Sequence, residues 1–333
     1  MGGGSYSDRI YSARMATHKS AGTDPFSHTA SVASGATAAA THESLDPKKP
    51  NSFGKIIRES FDNDEHPESR AIAVLFDVTG SMRDVPRIFL DNMPKLMAGL
   101  LKKGYVKDPQ ILFGAIGDAT CDDAPLQLGQ FESSNVMDSC LTNIYLEGNG
   151  GGQNTESYEL AMYYMARNTD MHCFTKRNQK GYLFLSGDEK PYSHVKKAEV
   201  ERIIGQKIQE NIPTEEILNE LRQKFEVFWI MPKGASNFTN TDIIDHLKAL
   251  FGQNYLSLPN PADICELIIS TIGLMEGYSI KDISIDLRDI GSDDDTIARV
   301  TTGLVPFSKR AVGAVATASA ALEPVGADSV ERL

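Results

Sequence analysis

Long apolar runs, paired cysteines and interleaved basic patches are what this sequence lacks. No stretch approaches the ~20 apolar residues needed to span a bilayer, so a membrane is not an expected partner. The opening Met1-Gly2-Gly3-Gly4-Ser5-Tyr6 has no apolar core behind it, and no secretory leader is read there. Tyr6 also stands where a myristoylation pattern wants Ser or Thr. The 4 cysteines, Cys121, Cys140, Cys173 and Cys265, are scattered without a Cys-x-x-Cys pair. That argues against a disulfide framework or zinc knuckle and for a reducing, cytoplasmic setting. His172, Cys173 and His194 lack a second close pair, so they read as packing or surface residues rather than zinc ligands. Positive charge is in deficit: 45 acids against 33 basic residues give a net charge of −12. Such a surface repels phosphate backbones, and nucleic acid is not expected as a partner. Lys48-Lys49, Lys176-Arg177 and Lys196-Lys197 are short and carry no interleaved aromatics, so they read as solvated faces. There is no Gly-x-x-x-x-Gly-Lys loop and no Gly-x-Ser-x-Gly turn.

What is present is an ordinary globular composition, 41% apolar and 23% charged over 333 residues, and one stretch that organises the rest. Ala71-Ile72-Ala73-Val74-Leu75-Phe76 is a six-residue apolar run bounded by Arg70 and Asp77. It reads as a strand buried on both faces, as in the middle of a parallel sheet. At its C-terminal end Asp77, Thr79 and Ser81 alternate, with Gly80 permitting a sharp turn. Ligands of open α/β sheets bind at that end, and three hard oxygens there suit a small cation such as Mg²⁺ or Mn²⁺. The plainer alternative is a turn in which Asp77 or Thr79 caps the next helix.

Strand and helix patterns alternate along the rest of the chain. A short helix is expected near Ser52 to Phe61, before the first strand. Pro86 suits the first turn of a helix that carries Val85, Ile88, Phe89, Met93, Leu96, Met97, Leu100 and Leu101 on one face and ends at Gly104. Gln110–Ile116 is a strand, followed by the acidic turn Asp118, Asp122, Asp123 and a strand-like Leu126 to Phe131. Either a solvated hairpin is expected there, or Asp118 or Asp122 stands behind the metal ligands. Helices are predicted from Ser133 through Tyr145, over Thr155 to Arg167, Val195 to Ile212, Thr214 to Phe225, Thr241 to Phe251 and Ala262 to Met275. Strands are predicted over Gly181–Leu185, Val227–Pro232 and Tyr255–Leu258. This order predicts an α/β fold, a Rossmann-like, doubly wound, mostly parallel central sheet with helices on both faces. Residues 1–51, rich in Gly, Ser, Ala and Thr, read as a flexible arm; 52–290 form the domain; 291–333 read as a flexible tail.

Asp77-x-Thr-Gly-Ser after an apolar strand resembles the metal-ion-dependent adhesion site (MIDAS) of von Willebrand factor A (VWA) domains, whose first motif is Asp-x-Ser-x-Ser. That family adds a Thr from a glycine-rich loop and an Asp after a later strand. Here Gly148-Asn149-Gly150-Gly151-Gly152-Gln153-Asn154-Thr155 is such a loop, and Gly181-Tyr182-Leu183-Phe184-Leu185-Ser186-Gly187-Asp188-Glu189 is a strand ending in an acid. Thr79 replaces the commoner Ser and keeps the hydroxyl, whereas Gln153 occupies the position where many relatives carry the ligand Thr. The resemblance spans residues 52 to 275. It implies metal ligands Asp77, Thr79, Ser81, Thr155 and Asp188, with Mg²⁺ or Mn²⁺ as the cofactor. It also implies a non-catalytic role in which the cation engages an acidic residue of a protein partner. The Thr-Gly-Ser-Met turn and the Gly-Asp-Glu-x-Pro segment are similar to intracellular VWA partners of MoxR-type AAA+ ATPases, which implies an adaptor role. Two other readings stay open. One is a structural or assembly protein, for instance phage-encoded, with a silent metal site. The other is a phosphatase, because Asp-x-Thr-Gly-Ser also resembles the nucleophile motif of haloacid dehalogenase-like enzymes. Against the latter, Thr79 stands where their general acid belongs, and Gly117-Asp118 follows too soon to leave room for their intervening units.

Overall fold

In the computed structural model, which describes residues 4–22, 26–148, 154–305 and 307, the apolar run of residues 71–76 lies at the middle of the fold. The elements in chain order are α1 (Asp8–Ala21), α2 (Ser27–Ala33), β1 (Arg58–Ser60), β2 (Arg70–Asp77), α3 (Val85–Asn92), α4 (Pro94–Lys103), β3 (Pro109–Ile116), β4 (Leu126–Leu128) and α5 (Val136–Thr142). They continue with β5 (Thr155–Glu156), α6 (Tyr158–Arg167), β6 (Thr169–Met171), α7 (His172–Thr175), β7 (Gly181–Ser186), β8 (Lys190–Pro191), β9 (His194–Val195) and α8 (Lys197–Glu199). The last are β10 (Ile212–Pro213), α9 (Thr214–Lys224), β11 (Phe225–Pro232), α10 (Thr241–Phe251), β12 (Tyr255–Leu258), α11 (Ile264–Met275), α12 (Ile280–Asp289) and α13 (294–305).

The central sheet has 6 strands in the order β12-β11-β7-β2-β3-β4. All pairings are parallel except β3 with β4. Alternation along β2 divides the core. Ile72, Val74 and Phe76 face one cluster with Phe89, Leu96, Met97 and Ile268 from α3, α4 and α11. Ala71, Ala73 and Leu75 face the other with Leu160, Leu218 and Leu247 from α6, α9 and α10. Helices thus cover both faces, and the fold is a Rossmann-like α/β fold, as its alternating pattern predicts. Among the described residues no helix is long and apolar enough to cross a membrane. From β2 the chain moves outward to β3 and β4, and β7 then lies on the other side of β2. The strand order therefore reverses between β2 and β7, and a crevice opens there beyond their C-terminal ends.

Several local expectations change. Residues 58–60 pair as a strand with β6 rather than forming a helix. The expected helix after the first turn is two: Pro94, with no N–H to continue the ladder, starts α4 at the end of α3. The helix expected from Thr155 starts only at Tyr158, because Thr155 and Glu156 pair with β8. In place of a helix over 195–212 there is a short helical segment, ended by Gly205 at φ 78, and then β10.

The two ends differ most. Rather than a loose arm, residues 26–46 are stapled to the domain. Phe26 and Leu45 are fully buried, Leu45 O accepts the Leu128 N–H at 2.8 Å, and Thr29 Oγ1 bridges Ile144 O and Leu146 N at 3.2 and 2.9 Å. Isolated anchors of this kind leave no periodic trace. In place of a tail beginning at 291, α13 follows Asp293, whose carboxylate caps Thr296 N at 2.7 Å. It buries Ile297, Val300 and Leu304, while Arg299 pairs with Asp263 at 2.7 Å. Residues 308–333 lie outside the described residues.

At the N-terminal ends of the strands, Asp62 accepts hydrogen bonds from Ser69 Oγ (2.7 Å) and Arg177 (2.9 Å). Burial alone would raise its pKa, but these bonds and the Arg177 charge bring it down to about 2. A depressed carboxylate stabilises the fold above its unfolded pKa, and that share is lost as pH falls through the folded value. Asp62→Asn is therefore expected to remove part of the loss in urea midpoint between pH ~4 and ~2 and to leave the slope above pH ~5 unchanged; parallel acid limbs for the two proteins would contradict this.

Candidate metal centre

Asp77 ends β2, where Val78 N still bonds Ile116 O at 3.0 Å, so the carboxylate is fixed by the ladder up to its own residue. The chain then folds back on it. Thr79 donates to Asp77 Oδ1 from both its N–H (2.8 Å) and its hydroxyl (2.6 Å). A single 3₁₀ turn, Gly80–Met82, follows and brings Ser81 Oγ to 3.3 Å from Thr79 Oγ1. Ser81 donates in turn to Asp188 Oδ1 at 2.7 Å. Asp188 stands two residues beyond β7, and its Oδ2 accepts the Asn237 N–H at 2.8 Å. Four oxygen-bearing side chains from two separate loops thus line the crevice between β2 and β7.

Three residues that the motif does not name hold this set. Tyr158, at the start of α6 and fully buried, donates its hydroxyl to Asp77 Oδ2. Ser236 grips the turn from β11's side: its N–H and hydroxyl both donate to Ser81 O, at 2.8 and 3.0 Å. Gly187 makes room for the phenol, because a Cβ at that position would overlap the Tyr158 ring and hydroxyl. In sequence Tyr158 reads as one more core residue of an apolar helix, and only a Gly before Asp188 hints at a close neighbour. Gly187→Ala is expected to cost about 1–3 kcal/mol of stability in urea unfolding with chelator present, and to weaken divalent uptake by pushing Tyr158 off Asp77.

Asp77 and Asp188 are both 0% exposed, yet among the described residues no Lys, Arg or His side chain pairs with either. Burial, and then the neighbouring charge of Asp188, push the Asp77 carboxyl up, against the hydrogen bonds from Thr79 and Tyr158 that favour its anion. Nearby Glu156 and Glu189 are also buried; burial and the charge of Asp77 raise Glu156, and burial raises Glu189 as well. Buried carboxylates without a counter-charge are costly, and a bound cation would offset that cost. Two carboxylates and two hydroxyls are hard donors, fitting Mg²⁺ or Mn²⁺ rather than a soft metal. Among the described residues no three His, Cys, Asp or Glu side chains gather as a metal cage; half of this donor set is hydroxyl.

Thr155 is the exception among the five expected ligands. Its strand partner is Lys190, two residues past Asp188, so it lies alongside the site but shares no hydrogen bond with the other four. Gly148 N bonds Val78 O at 3.2 Å, which holds Gly148 against the end of β2; Asn149, the glycines 150–152 and Gln153 lie outside the described residues. Asp118 accepts from Thr120 N (2.7 Å), Thr120 Oγ1 (2.8 Å) and Tyr192 Oη (2.9 Å), and Asp122 accepts the Asp118 N–H at 2.7 Å. Both organise the acidic turn, and Ser157 ties that turn to the start of α6 through Ala119 N at 2.8 Å. His172 accepts the Asp62 N–H at 2.9 Å and stacks on Phe61, whereas His194 is exposed on β9.

No family model and no curated protein matches the chain. Among solved structures it is similar to proximal thread matrix protein 1 from the mussel byssus, with 11% identity over 61% of this chain and 47% of that one and a TM-score of 0.41. It is also similar to the pilus adhesin SpaC from Lactobacillus rhamnosus GG in its open conformation, with 10% identity, 68% and 31% coverage and a TM-score of 0.44. The chain thus spans less than half the length of either structure, and similarity at this level implies nothing about function.

Proposed function

We propose that the chain is a non-catalytic, VWA-like protein that holds Mg²⁺ or Mn²⁺ at a MIDAS-type site and uses it to engage an acidic residue of a protein partner. The observation that carries this reading is the line Tyr158–Asp77–Thr79–Ser81–Asp188–Asn237, which joins the ends of β2 and β7 at the reversal of strand order. Asp77, Thr79, Ser81 and Asp188 would hold the ion, with Thr155 alongside. When bound, the cation supplies a concentrated positive charge that readily accepts one further carboxylate. The protein's own part is orientation. Tyr158 and Asn237 occupy the outer oxygens of the two aspartates and turn the inner oxygens toward the hydroxyls. Ser236 fixes the turn carrying Ser81, the one of the four side chains that is partly open to solvent. By analogy with the intracellular VWA proteins that it resembles, the partner proposed is a MoxR-type AAA+ ATPase in the cytoplasm, with this chain as its adaptor.

Thermal unfolding with and without the cation tests the reading. A ligand at a hundred times its dissociation constant adds about 2.7 kcal/mol to the folded state, a rise in Tm of about 4 °C for a chain of this size. The competing reading, a structural protein with a silent site, draws on the same network, since its oxygens are already mutually hydrogen-bonded. It predicts no shift with either metal.

A further inference from the structure

Arg83 directly follows the Gly80–Met82 turn, and its backbone stands at φ 52, ψ −121. That is the first central position of a type II′ turn, where glycine is at ease and a residue with a side chain is strained. On local grounds a glycine belongs there, yet the chain places its largest cation. The surroundings enforce the conformation: Arg83 N bonds Gly80 O, Met82 N bonds Thr79 O at 3.1 Å, Ser236 clamps Ser81 O, and Val85 and Pro86 are buried just beyond. The Arg83 side chain is exposed and has no hydrogen bond or ion pair among the described residues. Lys233 is in the same condition on the neighbouring loop. That loop is held against the turn by Ser236, and Gly234 sits so close that a Cβ on it would lie 3.5 Å from Val85 Cγ2. The two loops, 79–84 and 233–237, carry Arg83 and Lys233 against Asp84 alone, in a chain whose net charge is −12.

We propose that Arg83, supported by Lys233, is a second anchor for the partner, which is an acidic segment presenting one carboxylate to the cation and at least one more to the Arg83 guanidinium. This rests on the metal-site reading above. A guanidinium fork binds carboxylate in two parallel bonds, and unpaired cations beside the site steer an acidic segment toward it. A strained position whose side chain does nothing for the fold is what a recognition residue looks like.

The probes are a fluorescent penta-glutamate peptide and its penta-glutamine counterpart, titrated in Mg²⁺ against the full chain and against Arg83→Gly and Arg83→Gln. Penta-glutamate is expected to bind the natural chain and penta-glutamine not to. Each variant should weaken penta-glutamate binding by about tenfold, the loss of one bidentate pair, while the Mg²⁺-induced rise in Tm persists. Arg83→Gly should melt no lower than the natural chain, because glycine relieves the turn. The proposal is overturned if penta-glutamate fails to bind although Mg²⁺ raises Tm, or if both variants bind it within about twofold of the natural chain. It is also overturned if Arg83→Gly melts lower, which would make Arg83 a structural part of the turn. Absence of a Mg²⁺ shift in the natural chain strikes the site itself, a separate result from indifference to Arg83.

Discussion

Asp77→Asn is expected to abolish stabilisation by Mg²⁺ or Mn²⁺ while leaving the metal-free protein as stable as before, or more so. The asymmetry follows from the geometry. Asparagine keeps an oxygen that can accept from Thr79 N and Oγ1, as Asp77 Oδ1 does, and its amide can donate to the Tyr158 hydroxyl, which serves as acceptor once rotated. What disappears is a fully buried negative charge beside Asp188, which nothing cationic in the described residues offsets. In chelator that loss is neutral or favourable. With saturating cation the natural chain gains about 2.7 kcal/mol at a hundred times the dissociation constant, and the variant gains none. Paired melts in chelator and in Mg²⁺ give the answer. A variant destabilised in both by the same amount would show Asp77 to be a structural hydrogen-bonding residue only.

Arg58→Ala is expected to produce the largest loss of stability away from the site. Arg58 is 4% exposed and has no carboxylate partner among the described residues. Its guanidinium instead donates to four backbone carbonyls, those of Asp46, Lys49, Leu128 and Gly129, at 2.8 to 3.3 Å. It thereby bolts the segment 42–50 to the edge strand β4. Truncation leaves those carbonyls short of a charged donor in a dry place, at a cost of about 3 kcal/mol or more, which is on the order of 4 °C in Tm. Lysine, with one ammonium, cannot span the four and should recover only part. Limited proteolysis of Arg58→Ala should open first between residues 42 and 50; an unchanged digest and an unchanged Tm would mean that the segment is held by Leu45 alone.

The contrast between these two sites shows what the sequence made legible. Around Asp77 the signal is local and chemical: an apolar run, then acid and hydroxyls at alternate positions. β2 and its place in a parallel sheet are therefore readable, and so is the nearness of Thr79 to Asp77 in the turn that follows. Asp188 could be placed too, because it follows a second apolar strand. Tyr158 and Asn237 could not, since one resembles core and the other a loop residue, and only the packing of α6 and the β11 loop against the site gives them a role. Residues 26–46 escaped for a different reason. Phe26, Leu45 and the carbonyls that Arg58 collects are single contacts far apart in sequence, and composition says flexible wherever periodicity is absent. α13 was the opposite case: Asp293 and the spacing of Ile297, Val300 and Leu304 carried a helix signal, masked by Asp, Ala, Thr and Gly around it. At Thr155 the family pattern suggests a ligand, while its pairing with Lys190 sets it beside the site.

Bound Mn²⁺ can be counted by electron paramagnetic resonance in the natural chain, Asp77→Asn and Asp188→Asn. One ion per natural chain is expected, displaced by Mg²⁺, and none in either variant. No uptake by the natural chain, or the same uptake in all three proteins, would contradict the proposed metal site.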